Sequence, residues 1–511
     1  MNLDEKYTPE EIKAVCEHDL ELFAYYYFSH YIKYPSGEFH RWLYKLFTTQ
    51  TKRKTKIGCK WAIAAPRGNA KSSVATLFFP LWCTVYKKKN FIIIISDTAG
   101  QAEDFLKEVK IELINNELLN RDFPDACGQS GSWRLDEITT NNNVKIAALG
   151  SQNKILGKRH GTSRPDLILG DDLENQDNVA SPLMRERIVE WFFKEVLKAG
   201  EIDGSTDFYV VGTIKHEDSL LNNLLDKKKY PAWSGKIFRA VKSFADDQEL
   251  WREWEIIYSD KENEHRFEDA QKFYDENEEA LLEGTEVLWP DGEPYLTLMQ
   301  VKQEGDISFA SEKMNYPVDR SKCLIERSEL HFWKPSELPK NLLVFGALDP
   351  CTGKSSTSKG DFAAILTVGK DLKTNICYVL DCWMSKQHVD KQVNAVIHKH
   401  KQWNYFKFGV ESQAFQIVIK EHLEKKSRAM GIHIPVVDIK HGSLQNKEMR
   451  IEWIYPFLKD GTVILHESQK ELISQILNFT PDGRSLHDDG VDSLEMTLRL
   501  CLKRHFKRLY R

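Results

Sequence analysis

Short apolar runs ending in glycine, aspartate or proline recur along this chain, and helical patterns fill the gaps between them. CKWAIAAP (59–66), FIIIISD (91–97), VKIAALG (144–150), DLILGDD (166–172) and FYVVGTI (208–214) are of this kind. KSSVATLFFPLWCTVY (71–86) and AGQAEDFLKEVKIELINN (99–116) read as helices among them. Strands alternating with helices imply a mainly parallel sheet covered on both faces, so the expected fold class is α/β. A second series begins near residue 340 with LLVFGALDP, DFAAILTVG and NICYVLDCWM. A helix, FKFGVES, a helix, IPVVDI and a last helix, GVDSLEMTLRLCLKR, follow. The order β-β-β-α-β-α-β-α predicts three antiparallel strands and then strands reached through helical crossovers.

The first series occupies residues 56–240 and the second 336–500. Residues 1–55 read as a helical region, 241–335 as an acidic connecting or lid-like subdomain, and 501–511 as a basic tail. A length of 511 residues suits about three domains. A composition of 41% hydrophobic and 29% charged residues excludes a disordered or fibrous chain. The longest apolar burst, Phe91 to Ile95, is far too short to span a bilayer, and the polar, acidic N-terminus shows no secretory signal. The nine cysteines contain no C-x-x-C pair, which argues against a zinc module or a disulfide framework and fits a reducing cytosol. The net charge of −5 is unevenly spread. Residues 246–286 hold 16 acids against 4 bases, a balance of −12 that leaves +7 on the rest. That removes the objection an acidic chain would raise to a nucleic-acid partner.

AAPRGNAKSS (64–73) stands between a strand and a helix, where a phosphate-cradling loop has to sit. Pro66, Arg67, Gly68, Asn69, Ala70, Lys71, Ser72 and Ser73 form the candidate nucleotide loop. Lys71 is expected to reach the outer phosphates and Ser72 to ligate Mg²⁺. Ala65 and Ala70 occupy positions where the generic loop has glycine. DLILGDDLEN (166–175) supplies the acids: Asp171 for the metal, Asp172 to polarise the attacking water, and Glu174 as its competitor or as a helix cap. Arg67, Arg159 and Arg164 are candidates for the arginine that phosphoryl transfer uses.

The second series carries its own acids. Asp349 ends its first strand, Glu411 ends a later one, and Asp488, Asp489 and Asp492 open the last helix. Asp488 and Asp492 share a helical face. Gathered by one sheet, such carboxylates repel one another and call for divalent ions, two of which can clamp a phosphodiester. Asp361, in KGDFAA, is a candidate fourth member. Taken singly, each acid also suits ordinary turn or cap chemistry.

With both halves in view, the chain resembles the large terminase subunit, the DNA-packaging motor of tailed bacteriophages or prophages. The resemblance runs from about residue 35 to 500. It rests on FHRWLYKLF, APRGNAKSS, GKRHGTSRPDLILGDDLEN, VVGTIKHEDSL, GALDP, VES and HDDGVDSLEM, in that order. It implies an N-terminal P-loop ATPase of the ASCE type over 56–240 and an RNase H-like nuclease over 336–500. It further implies Gly212 and Thr213 as a coupling motif, and Asp349, Glu411 and one of Asp488, Asp489 or Asp492 as a metal-binding triad. An arginine acting between subunits of a ring is also implied, with Arg159 the candidate. The chain departs from the family at Asp172, where the family usually has Glu.

The cofactors implied are ATP and Mg²⁺ or Mn²⁺, one ion at the ATPase site and two at the nuclease site. The partners implied are double-stranded DNA, the portal of a procapsid, the small terminase subunit and further copies of the chain, in the host bacterial cytoplasm and without a membrane. Two other readings are a helicase–nuclease of DNA repair and a degenerate prophage protein that only binds DNA or the portal. A helicase would show a second ATPase lobe, and residues 240–340 lack the strand–helix alternation for one.

Overall fold

The computed structural model describes residues 6–129, 132–179, 181–317, 322–351, 362–385, 388–411, 414–439, 447–481 and 488–502, the side chains of Ile307, Glu411 and residues 414–418 excepted. The chain divides into two compact units, Met1–Val241 with Val287–Val318, and Lys242–Glu286 with Asp319–Arg511.

The N-terminal unit begins with helices, of which α1 (Leu20–Tyr27) and α2 (Glu38–Thr51) matter most here. Eight strands follow: β1 (Lys60–Ala64), β2 (Phe91–Ser96), β3 (Ser132–Trp133), β4 (Glu137–Thr139), β5 (Lys145–Gly150), β6 (Leu167–Asp171), β7 (Asp207–Gly212) and β8 (Ser234–Ile237). They form one sheet in the order β3-β4-β5-β2-β6-β7-β1-β8. Six strands are mutually parallel, and the short β3–β4 hairpin adds an antiparallel edge beside β5. One strand, β7, lies between the loop-bearing β1 and the acid-bearing β6. This is the ASCE arrangement that the resemblance implies.

Strand β2 shows why the sheet is buried on both faces. Ile92 and Ile94 join one core with α1, α2 and the helix after β1, while Ile93 and Ile95 join the other with Ile188, Trp191 and Leu220. Alternate residues of a strand point to opposite faces, so a run of four isoleucines serves two cores at once.

The helix expected over 71–86 runs from Lys71 to Val85, although it contains Pro80. The turn is widened to π geometry over Ser73–Phe78 and becomes α3 (Phe79–Val85) where the proline stands. A proline lacks the N–H that a regular helix needs and crowds the preceding turn, and a π stretch ahead of it relieves both problems. Helix α4 (Ala99–Asn115) follows β2. The N-terminal helices share the sheet's core: Phe47 of α2 stacks on Phe79 at 4.1 Å and meets Tyr209 of β7 edge-on at 4.9 Å.

The C-terminal unit contributes α6 (Gln248–Ser259) and α7 (Arg266–Leu282) from the acidic stretch, α5 being Leu220–Leu225 of the other unit. Its sheet is built from β9 (Leu343–Asp349), β10 (Ala363–Lys370), β11 (Cys377–Ser385), β12 (Lys407–Glu411), β13 (Val436–Ile439) and β14 (Val463–Ile464), in the order β13-β12-β9-β10-β11-β14. β9, β10 and β11 pair antiparallel, and β12 and β13 run parallel to β9. This is the RNase H-like order. Helices α8 (Val389–Trp403) and α9 (Ala414–Ala429) supply one core, with Val393, Ile397 and Leu423. The other core is supplied by α10 (Lys447–Glu452), α11 (Lys470–Asn478) and α12 (Asp489–Leu502). α10, α11 and β14 intervene between β13 and the last helix, where the sequence pattern gives a direct connection.

The stretch 241–335 does not form one subdomain. Residues 242–286 cluster with the C-terminal unit and 287–318 with the N-terminal one. In α6, Trp251 and Trp254 are buried, and the Trp251 indole donates to Leu281 O at 2.7 Å. The acids surrounding them therefore form a solvated outer face.

Phe47→Ala is expected to lower the stability of the N-terminal unit by about 3–5 kcal/mol, because it empties a buried stacked position. Thermal unfolding followed by calorimetry checks this, and an unshifted transition would contradict the shared core.

Candidate functional site

The loop after β1 folds as a cradle. Gly68 has φ +89° and Ala70 has φ +47°, both in the left-handed region. Ala70 thus adopts the backbone of the glycine it replaces, at a strain of order 1–3 kcal/mol that the surroundings must impose. Lys71, the residue after it, is buried. Its Nζ donates to Thr213 Oγ1 at 3.1 Å and lies 3.2 Å from Asp172 Oδ2. Ser72 Oγ donates to Asp171 Oδ2 at 2.6 Å. Ser73 starts the π stretch.

Asp171 is the last residue of β6 and Asp172 follows it directly. Asp171 is 1% exposed, and burial, with the neighbouring charge of Asp172 second, pushes its carboxyl up to about 7. Its Oδ1 has no hydrogen-bond partner among the described residues. An orphaned buried acceptor beside a serine hydroxyl fits a hard divalent cation. Asp172 sits at φ +43° and accepts from Thr213 N at 2.9 Å. Gly212 is required here, since a Cβ on it would stand 2.9 Å from Asp172 Oδ1. Gly212 and Thr213 therefore brace both the acid and the lysine.

Glu174 has another task. Its two carboxylate oxygens accept from Leu220 N at 2.7 Å and Leu221 N at 3.1 Å, at the start of α5. It caps that helix, not the one that follows it in sequence, and burial pushes its carboxyl up to about 7. Asp172 is thus partly exposed beside Lys71, whereas Glu174 is buried against the start of α5.

The arginines separate. Arg67 stays on the loop, exposed, with Nη1 2.8 Å from Glu312 Oε1. Arg159 and Arg164 lie near the opposite, N-terminal ends of the strands. Arg159 O accepts from Lys145 Nζ at 3.4 Å, at the start of β5, and Arg164 N donates to Glu201 Oε1 at 2.8 Å. Neither Arg159 nor Arg164 joins the loop of its own chain.

Residues outside the loop complete the cradle. Lys313 Nζ donates to Arg67 O at 2.8 Å and pairs with Glu293. Glu293 accepts from Asn69 Nδ2 at 3.1 Å. His40 Nε2 donates to Asn69 O at 2.9 Å, and burial holds this histidine below its usual pKa and thus neutral. Asn315 Oδ1 accepts from Ile214 N at 2.9 Å. No local sequence pattern links positions 293–315 to a loop more than two hundred residues earlier. Only packing reveals them.

In the C-terminal unit, Asp349 and Glu411 end neighbouring parallel strands whose preceding residues, Leu348 and Val410, are paired in register. The same sheet edge receives α12. The Ser493 hydroxyl of α12 lies 3.0 Å from Ala347 O and 3.2 Å from Ala364 O. Asp489 is buried and accepts from Phe362 N at 3.1 Å. Asp488 Oδ1 and Asp492 Oδ2 lie 2.8 and 3.3 Å from Lys447 Nζ. Burial works against the charge on Lys447, but Asp492, then Asp488, with a further contribution from Asp349, hold its pKa above the usual lysine range. The three acids thus act on one locus. Among the described residues no three metal-ligating side chains already converge on a point. Asp361 and the tail beyond residue 502 lie outside the described residues.

No model of a known protein family matches the chain, and no curated protein matches it. Solved structures do resemble it. The large terminase of a thermophilic bacteriophage is 10% identical over 91% of this chain and 99% of that one, with a TM-score of 0.32. The P22 large terminase nuclease domain is 12% identical over 35% of this chain and 91% of that one, at 0.26. The large terminase nuclease of the thermophilic phage G20c with bound cobalt is 18% identical over 33% of this chain and 83% of that one, at 0.24.

A carboxyl whose pKa is raised by folding favours the folded state when protonated, so stability is gained as pH falls from about 7 towards 4.5. Glu174→Gln removes this contribution. The wild-type gain in stability between pH 7.5 and 5 is expected to shrink by up to about 3 kcal/mol in the variant. Urea denaturation at both pH values measures it, and parallel pH profiles would show that Glu174 is ionised throughout.

Proposed function

We propose that this chain is the large subunit of a viral terminase, an ATP-driven motor that moves double-stranded DNA into a procapsid and cuts it with a metal-dependent nuclease. The observation that carries the reading is that two separate sheets of one chain each end in neighbouring acidic positions. One edge faces a phosphate loop with a buried lysine, and the other receives an acid-bearing helix.

At the first edge, the triphosphate of ATP meets the backbone N–H groups of residues 70–72 and the ammonium of Lys71. Ser72 and Asp171 would hold the divalent ion, which neutralises phosphate charge when bound. Asp172, oriented by Thr213 N, polarises the attacking water. Thr213 touches both Asp172 and Lys71, so loss of the γ-phosphate alters the contacts at the end of β7. Gly212 and Thr213 thereby couple hydrolysis to movement. Arg67 is the arginine on the loop itself. Arg159, exposed at the far edge of the sheet, is assigned to a neighbouring subunit's nucleotide in a ring.

At the second edge, Asp349, Glu411 and one of Asp488, Asp489 or Asp492 would hold the two ions that activate water and stabilise the leaving oxygen. DNA contact is to phosphate, hence salt-sensitive and weak in sequence preference. Site choice then falls to a small terminase subunit, and docking to the portal. Among the described residues no helix is long and apolar enough to cross a membrane, and the host bacterial cytoplasm is the assigned place of action. The antiparallel strands β9–β11 count against a second ATPase lobe, and with it the helicase–nuclease reading.

Lys71→Ala should abolish ATP hydrolysis and spare cleavage of DNA in Mn²⁺. Loss of both activities would contradict two independent sites. Asp349→Ala should abolish cleavage and leave hydrolysis within about twofold of wild type. Undiminished nicking of plasmid DNA would remove Asp349 from the nuclease.

A further inference from the structure

Two cations hold the acidic start of α12, and they are not equivalent. Arg450 Nη1 lies 3.2 Å from Asp492 Oδ1 and 3.1 Å from Glu495 Oε2. Its side chain is 8% exposed, and Glu495 is buried completely. Arg450 holds Glu495 Oε2 while Arg499 holds Oε1, so its departure would leave one side of a buried carboxylate without its cation, and it is a fixed structural cation. Lys447 is different. Among the described residues its ion-pair partners are Asp488 and Asp492, and its side chain remains 37% exposed. Asp349, at the end of β9, lies near enough to act on the same ammonium.

We propose that Lys447 is the resting counter-cation of this acidic cluster and competes with the divalent ions for it. The proposal rests on the nuclease reading of Asp349 and Asp492. Converging carboxylates repel one another and need positive charge to stay together. A single ammonium only partly balances three acids, whereas divalent ions balance them fully. The ammonium sits on a flexible four-carbon stem with an open side, so it can swing away when an ion arrives. The planar guanidinium of Arg450, bound to two acids, stays. Asp488 and Asp492 are therefore held together before metal binds, and an ion that enters displaces a charge already present.

The test uses the full-length chain and Mn²⁺ alone, without nucleotide, by isothermal titration. Asp349→Asn identifies the part of the signal that belongs to this cluster. Lys447→Met is expected to tighten that binding by roughly tenfold or more, a size seen when groups around metal ligands are changed. Lys447→Arg, which keeps the charge, should bind as wild type does. In the wild-type protein, Mn²⁺ should raise the labelling of Lys447 by an amine reagent, read by peptide mass spectrometry. If Lys447→Met does not fold, the labelling decides alone. Unchanged or weakened Mn²⁺ binding in Lys447→Met, or labelling of Lys447 indifferent to Mn²⁺, overturns the proposal while leaving the nuclease reading intact. An Mn²⁺ signal that Asp349→Asn does not alter overturns both.

Discussion

The ion pair between Lys71 and Asp172 constrains more of this protein than any other contact. The two groups are 3.2 Å apart, with the lysine buried and Asp171 buried alongside. Charges in such a place are tolerable only when paired and hydrogen-bonded. The pairing in turn dictates backbone. It needs Lys71 at the start of the helix after β1, Asp172 in a left-handed conformation just past the end of β6, and no side chain on Gly212 against Asp172. Three strand ends are thereby fixed relative to one another before any ligand is considered.

Support for the loop comes from far along the chain. Lys313, Glu293 and Asn315 lie more than two hundred residues beyond it, yet Lys313 holds the Arg67 carbonyl, Glu293 holds Asn69 and Asn315 holds Ile214. The exposed pair of Arg67 with Glu312 adds little by itself, because water screens it. The less exposed pair of Lys313 with Glu293 is the firmer tie. It also accounts for how an alanine at position 70 can be kept at positive φ, since the residues before it are anchored on two sides.

The architecture was largely legible in the sequence because strands buried on both faces must read as continuous apolar runs, and β2, β5, β6 and β7 do. The β-β-β-α-β-α-β start of the second series was legible for the same reason. The insertion of α10, α11 and β14 was not, because its short apolar runs lack the length of a clear helix or strand. Within the site, Lys71, Ser72, Asp171 and Asp172 were legible from local order. Glu174 was ambiguous, because a carboxylate three residues past a strand can serve chemistry or a helix start, and only the position of Leu220 decides. Arg159 and Arg164 show the converse limit. They precede the acidic strand in sequence, and so they lie at the end of it opposite the loop of their own chain. Lys447 and Arg450 had no motif, since a lysine at the start of a six-residue helix is an ordinary surface feature until its neighbours are known.

The C-terminal unit is not a contiguous stretch of sequence. α6 precedes it by some eighty residues, yet Arg252 bonds Ser468 Oγ at 2.7 Å, Glu249 pairs with Lys399, and the main chain at Asp246 accepts from the Ser385 hydroxyl at the end of β11. Excising a fragment that starts at residue 336 would strip this helical clasp and lay bare the end of β11. A soluble, self-standing C-terminal piece would have to carry residues 242–286 with it, grafted on or supplied as a second polypeptide.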